Sequence, residues 1–356
     1  MREKAKYAQL YEQLKGDIVR GVYQNGQKLP GENEMAEQYG MSRQTVRQAL
    51  TLLERKGLIE RKQGSGTYVH RAEAKRKRSW NVGVIVTYPG EYIFPSILRG
   101  MEGVLSEEGF FPLLGATRNR VDNERRILEE YMERQIDGLI VEGTKSALPN
   151  PNLPLYEELR KRGVPMVFFN GYYPQLEGCV RVTMDDRRGG MDAVRYLVGR
   201  GHREIGAILK SDDLQGLGRY AGFSKGLLQC DLPLRDDRVV WYNSDQRNQL
   251  LTEETAVRQL LDRLADCTAL VCYNDELAVR VEKVLEGQGV KIPQDKAILS
   301  FDNSLLGELA TVGLTSFHHP KETMGAIAAR KLVSMLGGKE EKSLVLDWSL
   351  VERKSA

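Results

Sequence analysis

The chain has 356 residues, 41% of them hydrophobic and 28% charged, with a formal net charge of +3 and a mean hydropathy of −0.43. These values are ordinary for a globular protein, and the length allows two or three domains. No apolar run approaches the length of a membrane span, and the first residues are charged rather than apolar, which excludes a membrane protein or an exported one. We therefore expect a cytoplasmic protein.

The charge is divided unevenly along the chain. Residues 1–80 hold 17 Lys and Arg against 9 Asp and Glu, whereas residues 81–356 hold 35 against 40. This asymmetry indicates a basic N-terminal part that docks on phosphates and a larger part that does not. The four cysteines lack metal-ligand spacing and are expected to be reduced and structural; they are Cys179, Cys230, Cys267 and Cys272.

The first predicted element is a helix from about Tyr7 to Val22. Apolar residues recur in it at helical spacing, and they should form its buried face: Leu10, Leu14, Ile18 and Val22. We expect this helix to brace the elements that follow.

The next segment is typical of a helix, a tight turn and a second helix. Met35, Ala36 and Tyr39 form an apolar stripe, and Gly40 permits the left-handed turn. Ser42 can cap the second helix. That helix should bury Val46, Ala49, Leu50 and Leu53.

The opposite face of the second helix carries DNA-reading chemistry. Arg43, Gln44 and Arg47 lie on it, and Thr45 is their neighbour. A helix-turn-helix places its second helix in the major groove, where Arg can bind guanine and Gln adenine, while further Arg and Thr side chains hold phosphates. The pattern therefore predicts a DNA-binding helix-turn-helix.

Two short strands are predicted after the helices, Leu58–Lys62 and Thr67–Val69, around the glycine hairpin Gln63–Gly66. Together with the helices they form a winged helix. From Lys28 to Val69 the chain resembles the gluconate-repressor (GntR) family, with Gly31 at a position where that family more often has Ser. The alternative, a helical hairpin with solvated arginines, does not explain the glycine wing. The predicted DNA contacts are Lys6, Ser42, Arg43, Gln44, Thr45, Arg47, Lys62, Gln63, Ser65 and Gly66.

These features predict three parts of the chain. Residues 1–70 form the DNA-binding domain, the basic segment 71–79 is a linker, and residues 80–356 form a second, larger domain. The linker has no periodic apolar pattern, so it is either a solvated spacer or a second contact to the DNA backbone.

From Trp80 onward, short apolar runs alternate with helices, which is typical of parallel sheets connected by crossovers. The predicted strands are 82–86, 137–141, 164–169, 205–209, 269–273 and 297–301, and the predicted helices include 96–108, 123–134, 189–199 and 275–288. The repeat is long enough for two lobes, and ligands of such folds bind beyond the carboxyl ends of the strands.

Several segments of this region are similar to the lactose/galactose-repressor (LacI) family, whose effector-binding core is related to periplasmic sugar-binding proteins. They include Asp137–Ile140, Gly201–Gly206, Arg219–Phe223, Tyr273–Ala278 and Phe301–Asn303. The pairing of a GntR-type head with a LacI-type body resembles the arabinose-responsive repressors of Gram-positive bacteria. The resemblance implies a sugar effector, L-arabinose or a related pentose, and we expect no cofactor and no metal.

The resemblance to the LacI family places Arg219, Asn274 and Asp302 at positions that hold sugar hydroxyls. Glu142 and Asn170 end two further predicted strands. Such groups suit hydroxyls, and aromatic surfaces suit the C–H faces of a sugar. Gln215 and His319 are second-rank candidates, and Tyr92 and Phe94 are expected to stack on the ring.

Two alternatives compete with this interpretation of the second domain. Asp302 and Asn274 could simply cap helices or turns, as most Asp and Asn at such positions do. The chain could also be an enzyme, but it has no nucleophile elbow, phosphate loop or metal cluster in its sequence.

The expected mechanism is that of a repressor. A homodimer binds a pseudo-palindromic operator, and a sugar that closes the cleft between the lobes changes the spacing of the two DNA-binding domains. The family resemblance implies that this change releases the DNA instead of promoting binding.

Overall fold

The computed structural model describes residues 6–19, 21–24, 26–62, 65–69 and 78–356. The described residues up to Arg78 form one compact unit, here called the head, and those from Ser79 to Ala356 form a second, the body. Gln63, a predicted DNA contact, and most of the predicted linker lie outside the described residues. Within the described part of the chain, no helix combines the length and the apolar content needed to cross a membrane.

The head contains three helices and a hairpin: α1 Lys6–Val19, α2 Glu32–Gln38, α3 Arg43–Arg55, β1 Ile59–Lys62 and β2 Gly66–Val69. Apart from Val22, the residues that helical spacing predicted form the core or pack against it, and the core also includes Tyr11, Leu29, Ile59 and Val69. Val22 is 61% exposed because the first helix ends earlier than predicted, and Gly21 follows it with a φ of +80°. The antiparallel hairpin gains a third short strand, since Leu29 N donates to Thr67 O (2.8 Å) and Val69 N donates to Gln27 O (2.8 Å).

The turn between α2 and α3 has the predicted chemistry. Gly40 adopts a φ of +60°, and the Ser42 side chain accepts a hydrogen bond from Thr45 N (3.2 Å) at the start of α3. Gly31 begins α2 without a side chain to cap it. Glu34 compensates from within the helix, because its carboxylate accepts from Gly31 N at 2.8 Å.

The body has two lobes, each built on a six-stranded sheet. The N-lobe sheet is parallel throughout, in the order β13-β7-β6-β5-β3-β4. Its strands are β3 Asn81–Val86, β4 Phe111–Ala116, β5 Gly138–Val141, β6 Met166–Phe169, β7 Val180–Met184 and β13 Leu344–Leu346. The helices packed on this lobe are α4 Phe94–Glu107, α5 Val121–Arg134, α6 Leu153–Lys161 and α13 Lys321–Leu336.

The C-lobe sheet has the order β14-β12-β11-β10-β8-β9, and β14 alone pairs antiparallel to its neighbour. Its strands are β8 Ile205–Lys210, β9 Val239–Tyr242, β10 Ala269–Cys272, β11 Ala297–Asp302, β12 Thr315–His318 and β14 Ser349–Val351. Its helices are α7 Asp186–Gly199, α8 Leu214–Gln229, α9 Ser244–Thr252, α10 Glu254–Asp262, α11 Asp275–Gly287 and α12 Leu305–Glu308, and the short 3₁₀ turn Asp236–Arg238 precedes β9.

Three crossovers connect the lobes. The chain passes from β7 to α7, returns from β12 to α13, and crosses again between β13 and β14. The six strands predicted from apolar runs are all present, but β4, β7, β9 and β12 to β14 were not predicted. These strands lie toward the sheet edges. The segment of β4, Phe111–Ala116, is apolar throughout, but it contains Pro and Gly, which are depleted in strands, and most of its residues are exposed.

Glycines set the distance between the helices on each lobe. A Cβ at Gly100 of α4 would lie 2.0 Å from Glu322 O of α13, whereas a Cβ at Gly103 of the same helix would meet nothing within 4 Å.

We expect Gly100→Ala to force these helices apart and lower the free energy of unfolding by about 1–3 kcal/mol. Gly103→Ala should raise it by about 0.5–1 kcal/mol through helix propensity. Urea denaturation of both variants tests the packing, and equal effects would contradict it.

Candidate functional site

The head presents the first turn of α3 to solvent. Arg43 and Gln44 are exposed there, and the Thr45 hydroxyl lies 2.8 Å from Ser42 Oγ. Arg47 is also exposed, but its guanidinium forks onto the Glu32 carboxylate, with the shorter contact at 2.8 Å. This pair keeps Arg47 in one orientation, and Arg43 and Gln44 are therefore the better placed residues for reading base edges.

The wing and the first helix carry the remaining predicted DNA contacts that the structure describes. Lys62 Nζ lies 5.5 Å from the ring centre of Tyr68, and Ser65 Oγ is 2.7 Å from the Tyr68 hydroxyl. Gly66 has a φ of +125°, which favours glycine at the wing. Lys6 is exposed at the start of α1.

The cleft of the body lies between the carboxyl ends of the two parallel sheets. It encloses a space of about 740 Å³ that includes open solvent. Eight of the nine predicted sugar contacts line it: Tyr92, Phe94, Glu142, Asn170, Gln215, Arg219, Asn274 and Asp302. Parallel strands explain this convergence, because their carboxyl ends share one edge of each sheet.

Arg219 forms the floor of the cleft. Its side chain is 1% exposed, and Nε donates to Asp186 Oδ1 at 2.9 Å, while Nη1 donates to the Tyr273 carbonyl. The guanidinium lies 4.3 Å from the ring centre of Phe301 and 5.1 Å from that of Trp348. The pairing of Asp186 with Arg219 was not predicted from the sequence; its neighbour Asp185 caps α7.

Asp302 and Asn274 each have one structural partner and one side toward the cleft. Asp302 has a φ of +94°, burial raises the pKa of its carboxyl to about 6, and Tyr92 is its hydrogen-bond partner. Asn274 caps α11, since its Oδ1 accepts from Leu277 N at 3.1 Å. The capping interpretation therefore holds for Asn274, but its side chain also lines the cleft.

Glu142, Asn170 and His319 form a buried chain of hydrogen bonds. Thr87 donates to Glu142 Oε2 through its backbone N (2.9 Å) and its hydroxyl (2.6 Å), and the Asn170 amide also bonds to this carboxylate. His319 Nε2 lies 3.2 Å from Asn170 Oδ1, and burial lowers the pKa of His319 to about 3. Because Oδ1 only accepts, the neutral ring donates from Nε2 and turns the Asn170 amino group toward Glu142.

His319 is the predicted contact that does not line the cleft. It is fully buried and lies behind Asn170. Its position in sequence, directly after β12, placed it correctly near the strand ends but could not show that Asn170 separates it from the cleft.

Sequence analysis missed several cleft residues. Lys210 was not among the predicted contacts, yet its side chain is 11% exposed and Nζ lies 3.0 Å from Asp213 Oδ2. It ends β8, so the strand-end argument used for Glu142 could have found it. Tyr242 and Tyr273 end or follow strands in the same way. The other missed lining residues with polar or charged side chains are Thr87, Tyr88, Asn119, Ser146, Asp213, Arg247 and Glu276.

The cleft suits a neutral polyhydroxy ligand. Among the described residues its lining includes four carboxylates, Glu142, Asp213, Glu276 and Asp302, and three cations, Lys210, Arg219 and Arg247. Each cation is already paired with a carboxylate, so no strong positive charge is available for a phosphate. Carboxylates, amides and guanidinium groups bind hydroxyls, and the aromatic side chains offer apolar faces.

Two family models match the chain. Residues 6–69 match the gntR family of bacterial regulatory proteins, and residues 194–356 match a periplasmic binding protein-like domain. The solved structure of the transcriptional regulator CelR in complex with cellobiose covers 92% of this chain and 100% of its own, with a TM-score of 0.69 and 25% identity. The predicted winged helix and two-lobed body are thereby confirmed.

Two relatives extend over almost the whole chain. The arabinose metabolism transcriptional repressor of Halalkalibacterium halodurans is 37% identical over 98% of this chain and 96% of its own length. The repressor of the same name from Geobacillus stearothermophilus is 38% identical over 94% and 93%. The chain belongs to the family of these repressors. It is a sugar-responsive transcriptional repressor, and the prediction of a regulator rather than an enzyme is confirmed by the family.

The buried carboxyl of Glu142 makes the stability of this repressor depend on pH. Burial raises the pKa of Glu142 to about 7, so the stability of the folded state falls as pH rises from about 4.3, the pKa of an unfolded Glu, to about 7. Glu142→Gln is neutral at every pH. We expect the melting temperature of Glu142→Gln, measured relative to that of the parent, to be higher at pH 8 than at pH 5, by the equivalent of up to about 3 kcal/mol. Circular dichroism melts at both pH values measure the difference, and a constant difference would contradict the assignment.

Proposed function

We propose that this repressor is a homodimer that binds a pseudo-palindromic operator and is released by a pentose, L-arabinose in the first place. The observation that carries the proposal is the cleft between the lobes, where amide, carboxylate and aromatic side chains converge in a chain that also exposes a DNA-reading helix. The names of the two relatives, which concern arabinose metabolism, support the choice of sugar.

The main alternative is a regulator of the same architecture that responds to another sugar or to a sugar phosphate. The charge of the cleft favours an unphosphorylated ligand, because Lys210, Arg219 and Arg247 are all engaged by carboxylates. A phosphate would have to displace one of these partners and leave it buried without compensation.

For the head, we propose a division of labour among the exposed side chains. Arg43 and Gln44 contact base edges at the start of α3, and Arg47 and Lys62 hold phosphates. The Glu32 carboxylate that orients Arg47 also offsets part of its charge, so we expect Arg47 to contribute less to the salt dependence of binding than an unpaired arginine. The other proposed contacts are Lys6, Ser42, Thr45, Gln63, Ser65 and Gly66.

We further propose that residues 1–70 act as a module joined by a linker, residues 71–79, to the body 80–356, and that the protein works in the cytoplasm, where operator DNA lies. Sugar and operator then bind to different parts of one chain. Closure of the cleft would change the body dimer and disfavour DNA binding, and the two affinities would be coupled reciprocally, by about 1–3 kcal/mol or more.

Asp302→Asn tests the sugar site. The variant keeps the shape of the side chain and removes the carboxylate, so we expect the affinity for L-arabinose to fall at least about tenfold, as for a lost hydrogen bond to a charged group. Operator affinity without sugar should stay within about twofold, which gives a repressor that sugar no longer releases. Isothermal titration calorimetry and fluorescence anisotropy with an operator selected from random DNA measure both.

Asp262→Asn, an exposed position on α10, is the matched control for this experiment. Unchanged L-arabinose affinity in a folded Asp302→Asn protein would remove Asp302 from the site. Arg219→Ala is a poorer test, because it leaves Asp186 as an unpaired buried carboxylate and is expected to destabilise the body.

The homodimer rests on apolar side chains that the body leaves in solvent. Leu305, Leu306 and Leu309 lie on or beside α12 and are 68%, 49% and 73% exposed. On the N-lobe, the edge strand β4 exposes Phe111 (67%) and Leu114 (52%). A second copy of the chain is the proposed occupant of these surfaces, since a palindromic site requires two heads related by a twofold axis.

We expect the double substitution Leu305→Glu/Leu309→Glu to give a monomer at micromolar concentration. Operator affinity should then fall about 100-fold or more, because the second head loses its effective concentration. Sedimentation velocity and anisotropy measure the two effects, and Leu234→Glu, at a lone exposed leucine, is the control. A double variant that remains dimeric would place the interface elsewhere.

A further inference from the structure

The first turn of α9 meets three loops of the opposite lobe at the mouth of the cleft. The Asn119 amide of the N-lobe donates to Ser244 Oγ, and Lys145 Nζ lies 3.1 Å from Asp245 Oδ2. Two residues after Asp245, the Arg247 guanidinium contacts the N-lobe at a third point. The three contacts lie on consecutive or nearly consecutive residues of a single helix.

Arg247 joins both lobes. Its guanidinium forms two hydrogen bonds with Glu276 of its own lobe, at 2.6 and 3.0 Å, and Nη2 also donates to Glu91 Oε2 of the N-lobe at 3.0 Å. It lies 4.3 Å from the ring centre of Tyr88, which is also in the N-lobe. Arg247 is 17% exposed and Glu91 57%, so this contact runs from the cleft to its solvent rim.

The C-lobe holds the first turn of α9 in a fixed position. The Asn243 side chain accepts from Asp245 N (3.0 Å) and Gln246 N (3.2 Å), and the Gln246 side chain accepts from Asn243 N (3.0 Å), which is a reciprocal capping box. Asp212 Oδ2 accepts from Ser244 N at 2.9 Å. The turn therefore moves with the C-lobe as one piece.

The facing N-lobe residues Lys145 and Asn119 are also held in place by a hydrogen bond. Lys145 N donates to Asn119 Oδ1 at 2.7 Å, which joins two of the three loops, and both residues have left-handed backbones, with φ of +43° and +55°. Such a conformation is unfavourable for a lysine and persists only where surrounding contacts stabilise it.

We propose that the first turn of α9 is the latch that holds the cleft closed, and that Asp245, Lys145 and Glu91 are positioning residues that set sugar affinity without touching the sugar. None of these three lines the cleft. The proposal rests on the proposed function insofar as the ligand of the cleft is a sugar. It adds that closure is stabilised by a specific set of contacts that extends beyond the cleft lining, to which Asn119 and Arg247 belong.

The magnitude follows from population arithmetic. For a ligand that binds only the closed state, the apparent affinity equals the affinity of the closed state multiplied by the fraction of molecules that are closed. An exposed ion pair such as Lys145–Asp245, whose partners are 22% and 72% exposed, changes such an equilibrium by about two- to fivefold, and charge reversal adds repulsion. We therefore expect about a five- to twentyfold loss of affinity when Asp245 becomes Lys.

The experiment compares Asp245→Lys with the parent in the full chain, using L-arabinose as the probe. Calorimetry should show the weaker affinity, and Lys145→Asp/Asp245→Lys should recover it to within about threefold of the parent. The matched control is Asp237→Lys, which reverses the charge of an exposed Arg-paired aspartate at the other end of β9. It should leave L-arabinose affinity unchanged.

A second measurement needs no ligand. Hydrogen exchange followed by mass spectrometry should show faster exchange in peptides covering residues 142–148 and 243–249 of Asp245→Lys, and parent-like exchange in Asp237→Lys. If the parent binds no L-arabinose but this difference appears, the latch stands and the choice of sugar fails. If L-arabinose binds the parent and Asp245→Lys equally and exchange is the same in both, the latch is overturned.

Discussion

Arg219 carries its positive charge at a place where 1% of its side chain reaches solvent. Such a group is tolerated only with a compensating charge and filled hydrogen bonds, which Asp186 and the Tyr273 carbonyl supply. The pairing requires the start of α7 to lie against α8, and Gly190 permits this approach, because a Cβ there would lie 2.1 Å from Arg219 O. The packing of α7 against α8 and the position of Arg219 in the floor of the cleft therefore depend on the same Arg219–Asp186 pair.

The same pair lies next to the connections between the lobes. Asp186 follows the crossover from β7, and Trp348, which stands against the Arg219 guanidinium, lies on the crossover between β13 and β14. His319 lies on the remaining crossover, from β12 to α13, and it orients Asn170. The predicted ligand contacts Arg219 and Asn170 thus bond directly to residues of the lobe connections, so a change in the angle between the lobes would act on them without distant intermediates.

Charge serves opposite purposes in the two units. In the head the basic side chains of the reading helix and wing are exposed, where they attract phosphates. In the cleft of the body the cations are paired with carboxylates and act as fixed hydrogen-bond donors. A repressor that binds DNA with one unit and a sugar with the other benefits from this separation, because an unpaired cation in the cleft would attract anionic metabolites.

The sequence by itself determined the features that depend on local spacing. The helices and cap of the head, the six apolar strands of the body, and the polar residues at strand ends were predicted from periodicity and position, and family resemblance added Arg219 as a sugar contact. Val22 was predicted as buried and is exposed because Gly21 ends the helix region early. The edge strand β4 was missed although its sequence is apolar, because it contains Pro and Gly, which are depleted in strands.

Only the tertiary structure decided which polar groups share a partner. Lys210 is buried because Asp213 lies beside it, His319 is separated from the cleft by Asn170, and Arg247 reaches Glu91 across the two lobes over 156 positions of sequence. Periodicity describes which face of an element a residue occupies, but not what the chain brings against that face. The partner of a charged side chain is set by long-range packing, and that partner determines whether the side chain is solvated, binds a ligand or holds two lobes together.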